Sequence, residues 1–403
     1  MTNSPGETSP AADAYSVYPL MYLEANLGVN IIGHFALGVR LIRADEVTLK
    51  TMREGVAQHS PKFPGEYVFE SDVQWLLALP TPKTPDHVPV VETGVSLRER
   101  VERAIVDSFV LCLRLTRQTA VICPIRFDAH WDQDSVVIDL DTSKEDYNYP
   151  DYERPSVDWC EPFADGDVAG LTDLWDEMVE LRQLGRWDRL VSEESFFAML
   201  DLKANERMVD RLCGPGASKT KKKEVAKVIR SLKEENPDWG KYQYREAFGQ
   251  VFAETEEATF WVRTRLGRAL KLYDEGLDLP GLHAFLSMCL VLETLFTVDQ
   301  GELTHKITTR MAKIIGGSAG PASADACRED IYDRAGDVYR ERGNIVHGSR
   351  LIDRVEENIR KDAFELSRLS LRRILCDAKL RKFYADPSTQ DKGSGHRKDK
   401  ENV

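Results

Sequence analysis

The sequence predicts a mainly α protein, with a C-terminal antiparallel helical bundle preceded by an N-terminal α+β domain. Three observations carry that reading. From about residue 254 onward, apolar residues recur at three- and four-residue intervals in segments separated by short breaks, the pattern of helices packed side by side. Before that point, runs rich in β-branched and aromatic residues at 67–79, 120–127 and 135–140 alternate with helical stretches. Charge divides at the same place. Residues 255–386 balance 21 basic against 21 acidic side chains, so the excess behind the net charge of -13 lies in residues 1–254.

Taken in order, Met1–Ala14 is polar and rich in Ser, Pro and Gly, the composition of a disordered leader and not of a signal peptide. A sensing or regulatory domain is expected over 15–212. Its opening, Tyr15 to about Gly55, has a mixed apolar pattern read as mostly helix. Tyr67–Leu79 is rich in Val, Phe, Trp and Leu and stops at Pro80, Pro82 and Pro85, so a strand is expected. Ser96–Leu115 repeats Val101, Ala104, Ile105, Cys112 and Leu115 at helical spacing. Ala120–Phe127 and Ser135–Leu140 read as two strands joined by a polar turn around Trp131–Asp134. Glu145–Asp167 is acidic and aromatic, with Tyr147, Tyr149, Tyr152 and Trp159, and reads as a surface loop. Leu171–Leu190 and Glu193–Leu212 return to helical periodicity.

A charged linker and helix over 213–253 separates the halves. Gly214–Lys223 has the glycines and lysines of a phosphate-binding loop, but Ser218 stands where the glycine before the lysine belongs. The reading is therefore a solvated basic linker, with a charged helix over 221–236 ending at Pro237. The bundle over 254–386 opens with a helix at 256–275 carrying Val262, Leu266, Ala269, Leu270 and Tyr273 on one side. The next, 280–298, is nearly apolar throughout and is expected to be the most buried. Helices at 302–315, Asp325–Arg342 and 352–384 complete the set, and a polar tail over 387–403 reads as disordered.

Composition narrows the function. At 403 residues there is room for two or three domains with cores, and 42% apolar with 30% charged residues is ordinary for a globular protein. The negative balance excludes a general nucleic-acid coat protein, which would be basic. Seven cysteines show no Cys-x-x-Cys pair or zinc-finger spacing, and neither metal nor cofactor is expected. Cys112, Cys289 and Cys376 lie in apolar helical patterns as small hydrophobes. The longest apolar tracts, near 17–41 and 281–297, are broken by Glu24, His34, His283 and Glu293, so no membrane span is expected and the location is read as cytoplasmic.

The chemistry concentrates in Tyr339–Gly348, where four residues separate Arg342 from His347 at a glycine expected to end the helix. A guanidinium grips a phosphate bidentately, and an imidazole moves a proton near neutral pH; together they suffice to cleave RNA without a metal. Spacing alone does not choose this pair. Arg340 with His347 and Arg53 with His59 have similar spacing, about as many pairs as chance supplies. Arg53 and His59 sit in an unpatterned polar segment beside Pro61 and read as coincidence.

The order of landmarks does choose. Arg265-Leu-x-x-Ala-Leu270 is followed by a buried run from Leu286 to Glu293-Thr-Leu-Phe296, then Lys306 to Arg310, then Tyr339–Gly348. In that order, residues 255–385 resemble the Apea-like branch of the HEPN superfamily, the helical domains of many prokaryotic RNA-cutting toxins and antiviral effectors. The resemblance covers about a third of the chain. It implies a homodimer that brings two Arg–His pairs into one composite cleft and cuts RNA without metal, leaving a cyclic phosphate. It casts Arg342 as the phosphate-binding residue and His347 as the proton-transfer residue. Many members carry a polar residue directly after the arginine; here that place holds Gly343, and Asn344 is the residue left for the hydrogen-bonding role. The implied setting is antiviral defence or toxicity, with a protein or nucleotide trigger at the N-terminal domain.

The remaining polar residues have plainer readings. Arg340 binds RNA backbone or pairs with an acidic neighbour. Glu293 lies in an apolar helix, where an unpaired carboxylate is costly, so a structural ion pair with Arg265 or Arg310 is expected. His305 and Lys306 are expected to be solvated near a helix start. The competing function is a non-catalytic HEPN module for dimerisation or nucleotide binding, with specificity held by the N-terminal domain.

Overall fold

The computed structural model describes residues 14–21, 23, 31–32, 35–59, 73–80, 97–116, 121–122, 125–132, 135–145, 165–184, 213, 217–235, 260–297, 303–316, 324–347 and 355–386. Helix predominates among them, as the apolar periodicity predicts. The expected leader, most of the acidic aromatic loop, the helix over 193–212 and the C-terminal tail lie outside the described residues.

The N-terminal half is built on an antiparallel sheet. Its strands are β1 (Ala14–Met21), β2 (Ile31–Ile32), β3 (Arg40–Arg43), β4 (Val73–Pro80), β5 (Val121–Ile122), β6 (Ile125–Asp132) and β7 (Ser135–Glu145), in the order β2-β3-β4-β1-β6-β7 with β5 beside β1. Among its described residues the segment 15–55 thus holds three strands, a 3-10 turn at Ala36–Gly38 and the larger part of a helix, α1 (Glu46–His59), and is not mostly helix. The reason lies in its burial. Val17 and Leu20 on β1 and Leu76, Leu77 and Ala78 on β4 are all fully buried, so both faces of the sheet are covered and no apolar–polar alternation marks the strands. Pro19 adds to the disguise, since proline in an inner strand removes a ladder donor. It is tolerated because β1 pairs β6 only over Ala14–Val17 and β5 only at Leu20–Met21, leaving Pro19 in the gap. Strand β6 runs on to Asp132, which pairs with Ser135 of β7, so Trp131 and Asp132, expected in the polar turn, are strand residues.

One face of the sheet meets α2 (Leu97–Leu115), which packs against α3 (Asp165–Arg182). Phe109 on α2 is fully buried between Phe35 and Trp175, with ring centroids 5.0 and 5.1 Å away in edge-to-face contacts. Arg182, buried at the end of α3, donates to the Ala104 carbonyl and Ser108 Oγ of α2 and stacks 4.8 Å from the Trp261 ring. The basic segment is a helix, α4 (Lys219–Glu235), from its first lysine, capped by Ser218 Oγ accepting from the Lys221 amide.

The C-terminal helices are α5 (Arg265–Leu277), α6 (Gly281–Phe296), α7 (Leu303–Gly316), α8 (Ala324–Val346), α9 (Glu357–Cys376) and α10 (Ala378–Tyr384). The helix expected over 256–275 is interrupted: residues 260–263 are helical, and Thr264 breaks the run, its Oγ1 accepting from the Gly267 amide as the N-cap of α5. Helices α5 and α6 form an antiparallel hairpin: Ser287 Oγ donates to the Leu272 carbonyl, and a Cβ at Gly276 would lie 2.7 Å from Ser287 Oγ. The long last helix is two, because Asp377 accepts from the Lys379 and Leu380 amides and caps α10. Helix α6 buries nine of its sixteen residues, but α5 is as enclosed with eight of thirteen. The expectation of uniform burial fails at Leu290, which is 46% exposed, and at Leu286, half-buried. Both lie on an outward line with Glu293 and Thr297 at helical spacing.

One buried apolar cluster runs from the sheet through α2 and α3 into the C-terminal helices. Among the described residues no helix is long and apolar enough to cross a membrane. Phe109 sits where these layers join. Phe109→Ala is expected to cost about 3–5 kcal/mol, read from urea unfolding with an unchanged slope; a loss below about 1 kcal/mol would mean the ring is not packed between those layers.

Candidate active site

Helix α8 does not break at Gly343. It runs on to Val346, the His347 amide donates to the Gly343 carbonyl at 3.0 Å, and Gly343 keeps ordinary helical dihedrals. A glycine costs a helix interior only about 1 kcal/mol, which the packing of Ile331, Ala335, Val338 and Tyr339 outweighs. The extension fixes the relation of the two expected catalytic residues. Five residues of continuous helix carry His347 about 7.5 Å along the axis and about 140° round from Arg342.

The two side chains accordingly meet different surroundings. Arg342 points back towards α6, where its Nη2 lies 2.9 Å from Glu293 Oε1; the side chains are 25% and 18% exposed. His347 is exposed beyond the last helical residue. Glu293 therefore has its cation, but the expected partners are corrected. Arg310 donates to the Phe296 carbonyl and caps the end of α6, and Arg265 is buried at the start of α5, its pKa lowered chiefly by burial. The register explains the change. Tyr339 Oη donates to the Cys289 carbonyl, so α6 and α8 run the same way at this contact, and one turn further on Glu293 comes level with Arg342.

The ion pair is imperfect. Glu293 Oε1 is buried and receives no aligned hydrogen bond, so charge more than N–H geometry holds the contact. Burial pushes the Glu293 carboxyl above the usual range, against the downward pull of Arg342. Burial likewise pushes up the Cys289 thiol and the Tyr339 phenol beside it. Both stay neutral and line the inner wall of the pair.

Asn344 is taken up locally: its Nδ2 donates to Glu341 Oε2 at 3.2 Å, on the same helix. Arg340 is exposed and pairs with Asp337 at 2.9 Å one turn back, a surface contact of small energetic worth. His305, also exposed, lies 3.3 Å from the Tyr332 hydroxyl. Arg53 and His59 fall in α1. The structure thus joins Arg342 to Glu293, and it holds Asn344 and His347 on other sides of the same helix. Sequence reasoning missed Glu293 as the neighbour of Arg342; a lone carboxylate inside the most apolar helix was the available signal. Comparisons with protein-family models, curated proteins and solved structures return no match to the chain.

The raised carboxyl gives a sign that can be checked. A glutamate with a higher pKa in the folded state binds its proton more tightly there than in the unfolded chain, so ionisation removes stability as pH rises through the raised value. Glutamine keeps the shape without the charge. Relative to Glu293→Gln, the parent protein should lose stability as pH rises through the window that opens at the ordinary glutamate value, about 4.3, measured as the difference in unfolding free energy at each pH. A difference flat in pH would mean that Glu293 does not titrate in that window.

Proposed function

We propose that the chain is a metal-independent endoribonuclease of the HEPN type, an antiviral-defence or toxin effector whose site is completed by a second copy. The observation that carries this is the placement of Arg342 and His347. Arg342 is pre-positioned by Glu293 at the bundle surface, while His347 stands exposed about 140° away on the same helix. One copy does not direct both groups at one phosphate; two copies meeting near the end of α8 would. Leu290, exposed on the α6 face that carries Glu293, supplies apolar surface for such a contact, and a Cβ built at Gly343 meets open space beyond its own helix backbone and chain neighbours.

The chemistry is transfer of a phosphoryl bond within the RNA itself. One His347 takes the proton of the 2′-hydroxyl as O2′ bonds to phosphorus. The P–O5′ bond breaks, and the other His347 returns a proton to O5′, leaving a 2′,3′-cyclic phosphate. Arg342 stabilises the charge that gathers on the phosphate oxygens. The residues 15–212 then act as the unit that receives the trigger.

His347→Ala should lower cleavage roughly 10²–10⁴-fold, and Arg342→Lys should fail as well because lysine keeps the charge without the fork. Cleavage of RNA in EDTA by the purified protein, followed on gels, is the direct measurement. Activity abolished by EDTA and restored by a divalent metal would sink the metal-independent reading. Leu290→Asp should reduce dimer and cleavage together, as seen by light scattering alongside the gel; a monomer that still cuts at the parent rate contradicts the shared site. One observation favours a second reading. Arg342 is already countered by Glu293, as suits a scaffold that dimerises without cutting, and a dimer inert towards varied RNAs under triggering conditions would establish it.

A further inference from the structure

Helix α4 carries a feature that cleavage at Arg342 and His347 does not use. Lys219, Lys223 and Lys227 recur every fourth residue and are all exposed. They stand about 6 Å apart along the axis and about 40° round from one another, a line some 12 Å long. Among the described residues none of the three forms an ion pair. Over residues 219–227, Glu224 is the one acidic side chain, further round the exposed side, while Lys222 flanks the line half-buried.

The opposite side of the helix is committed. Val225 is 8% exposed and belongs to the buried cluster, with Ala217 and Ala226 packed against it. The apolar side is therefore occupied and not free to enter a lipid surface. The lysines are also placed against local helix energetics. The first turn holds no acidic residue, so positive side chains crowd the positive end of the helix dipole. Like charges four residues apart repel as well. A segment that accepts such conflicts, within the half of the chain that carries the excess negative charge, is one where a ligand and not the fold sets the residues.

The arrangement also selects the ligand. Three cations in a line do not converge on one compact anion, but a chain of phosphates lies along all of them. Lysine is a point charge on a flexible stem, suited to backbone contact without reading bases. We infer that the Lys219–Lys223–Lys227 line on α4 is a docking track for the phosphate backbone of single-stranded RNA, on a helix other than the one that carries Arg342 and His347. The choice of RNA as the polyanion rests on the ribonuclease reading.

The test is binding of a labelled oligouridylate to the full chain carrying His347→Ala, measured by anisotropy over a range of salt. Replacing Lys219, Lys223 and Lys227 together with glutamine should make the slope of log Kd against log salt shallower by about 2, since each single-strand phosphate contact contributes about 0.7. Glutamine is a good helix former, the positions are exposed, and the change relieves like-charge repulsion, so the melting temperature should not fall. An unchanged slope, or a chain that binds no RNA before the change, overturns the track. Tighter binding of polyglutamate than of RNA through the same lysines overturns the choice of ligand. Cleavage with native His347 is scored separately. Cleavage with an unaltered slope removes the track alone, whereas lysine-dependent binding without cleavage removes the ribonuclease reading alone.

Discussion

Arg114 enters the contact between the two halves of the molecule with 7% of its side chain exposed, and a guanidinium cannot give up its charge there. Two carboxylates answer it. Nη1 lies 2.7 Å from Asp274 Oδ1 and Nη2 lies 3.0 Å from Asp278 Oδ1, at the end of α5. Burial pulls the pKa of Arg114 down, but the two aspartates outweigh it and hold the group charged. The backbone of α2 is received by the same helices. Tyr273 Oη donates to the Arg114 carbonyl and Arg368 Nη1 to the Leu115 carbonyl, so side chains of α5 and α9 satisfy the last carbonyls of α2. An N-terminal helix is in effect a strut of the C-terminal assembly, and α3 adds a second tie through Glu177 and Glu180, which pair with Arg381 of α10.

The Glu293–Arg342 pair shows the opposite balance. Here burial wins over the attraction, and the carboxyl is raised despite its partner. A pair of that kind stabilises little by itself; its worth is in holding a guanidinium in one place without removing it from solvent. Cys289 and Tyr339 keep the inner side dry and uncharged, so the outward direction is the one in which Arg342 can meet a new anion. Arg114 serves the fold. Arg342 is held loosely enough to serve something else.

Much of this was legible in the residues. The apolar repeats of Leu97–Leu115, Gly281–Phe296 and Leu303–Gly316 mark their helices closely, because each has a polar side to contrast with its core side or a clear break at its end. The sheet was hidden where burial on both faces erased the contrast, over Val17, Leu20 and Leu76–Ala78. Asp377 announced a second helix start through its capping side chain, but a charged run on either side masked it. The partner of Glu293 was out of reach for another reason. Which turn of α8 lies level with which turn of α6 is a relation between helices, and no periodicity within one helix encodes it.

Because α8 continues through Gly343, the interval between Arg342 and His347 is a bearing as well as a length. Each residue along a helix turns its side chain by about 100° while advancing about 1.5 Å. A spacer one residue longer or shorter would change the distance along the axis by only about 1.5 Å, yet it would swing the imidazole by about 100° around it. The number of residues between them works as a compass setting. On the proposed ribonuclease reading, it would decide which flank of the molecule a second copy approaches for the arginine of one chain and the histidine of the other to share a phosphate.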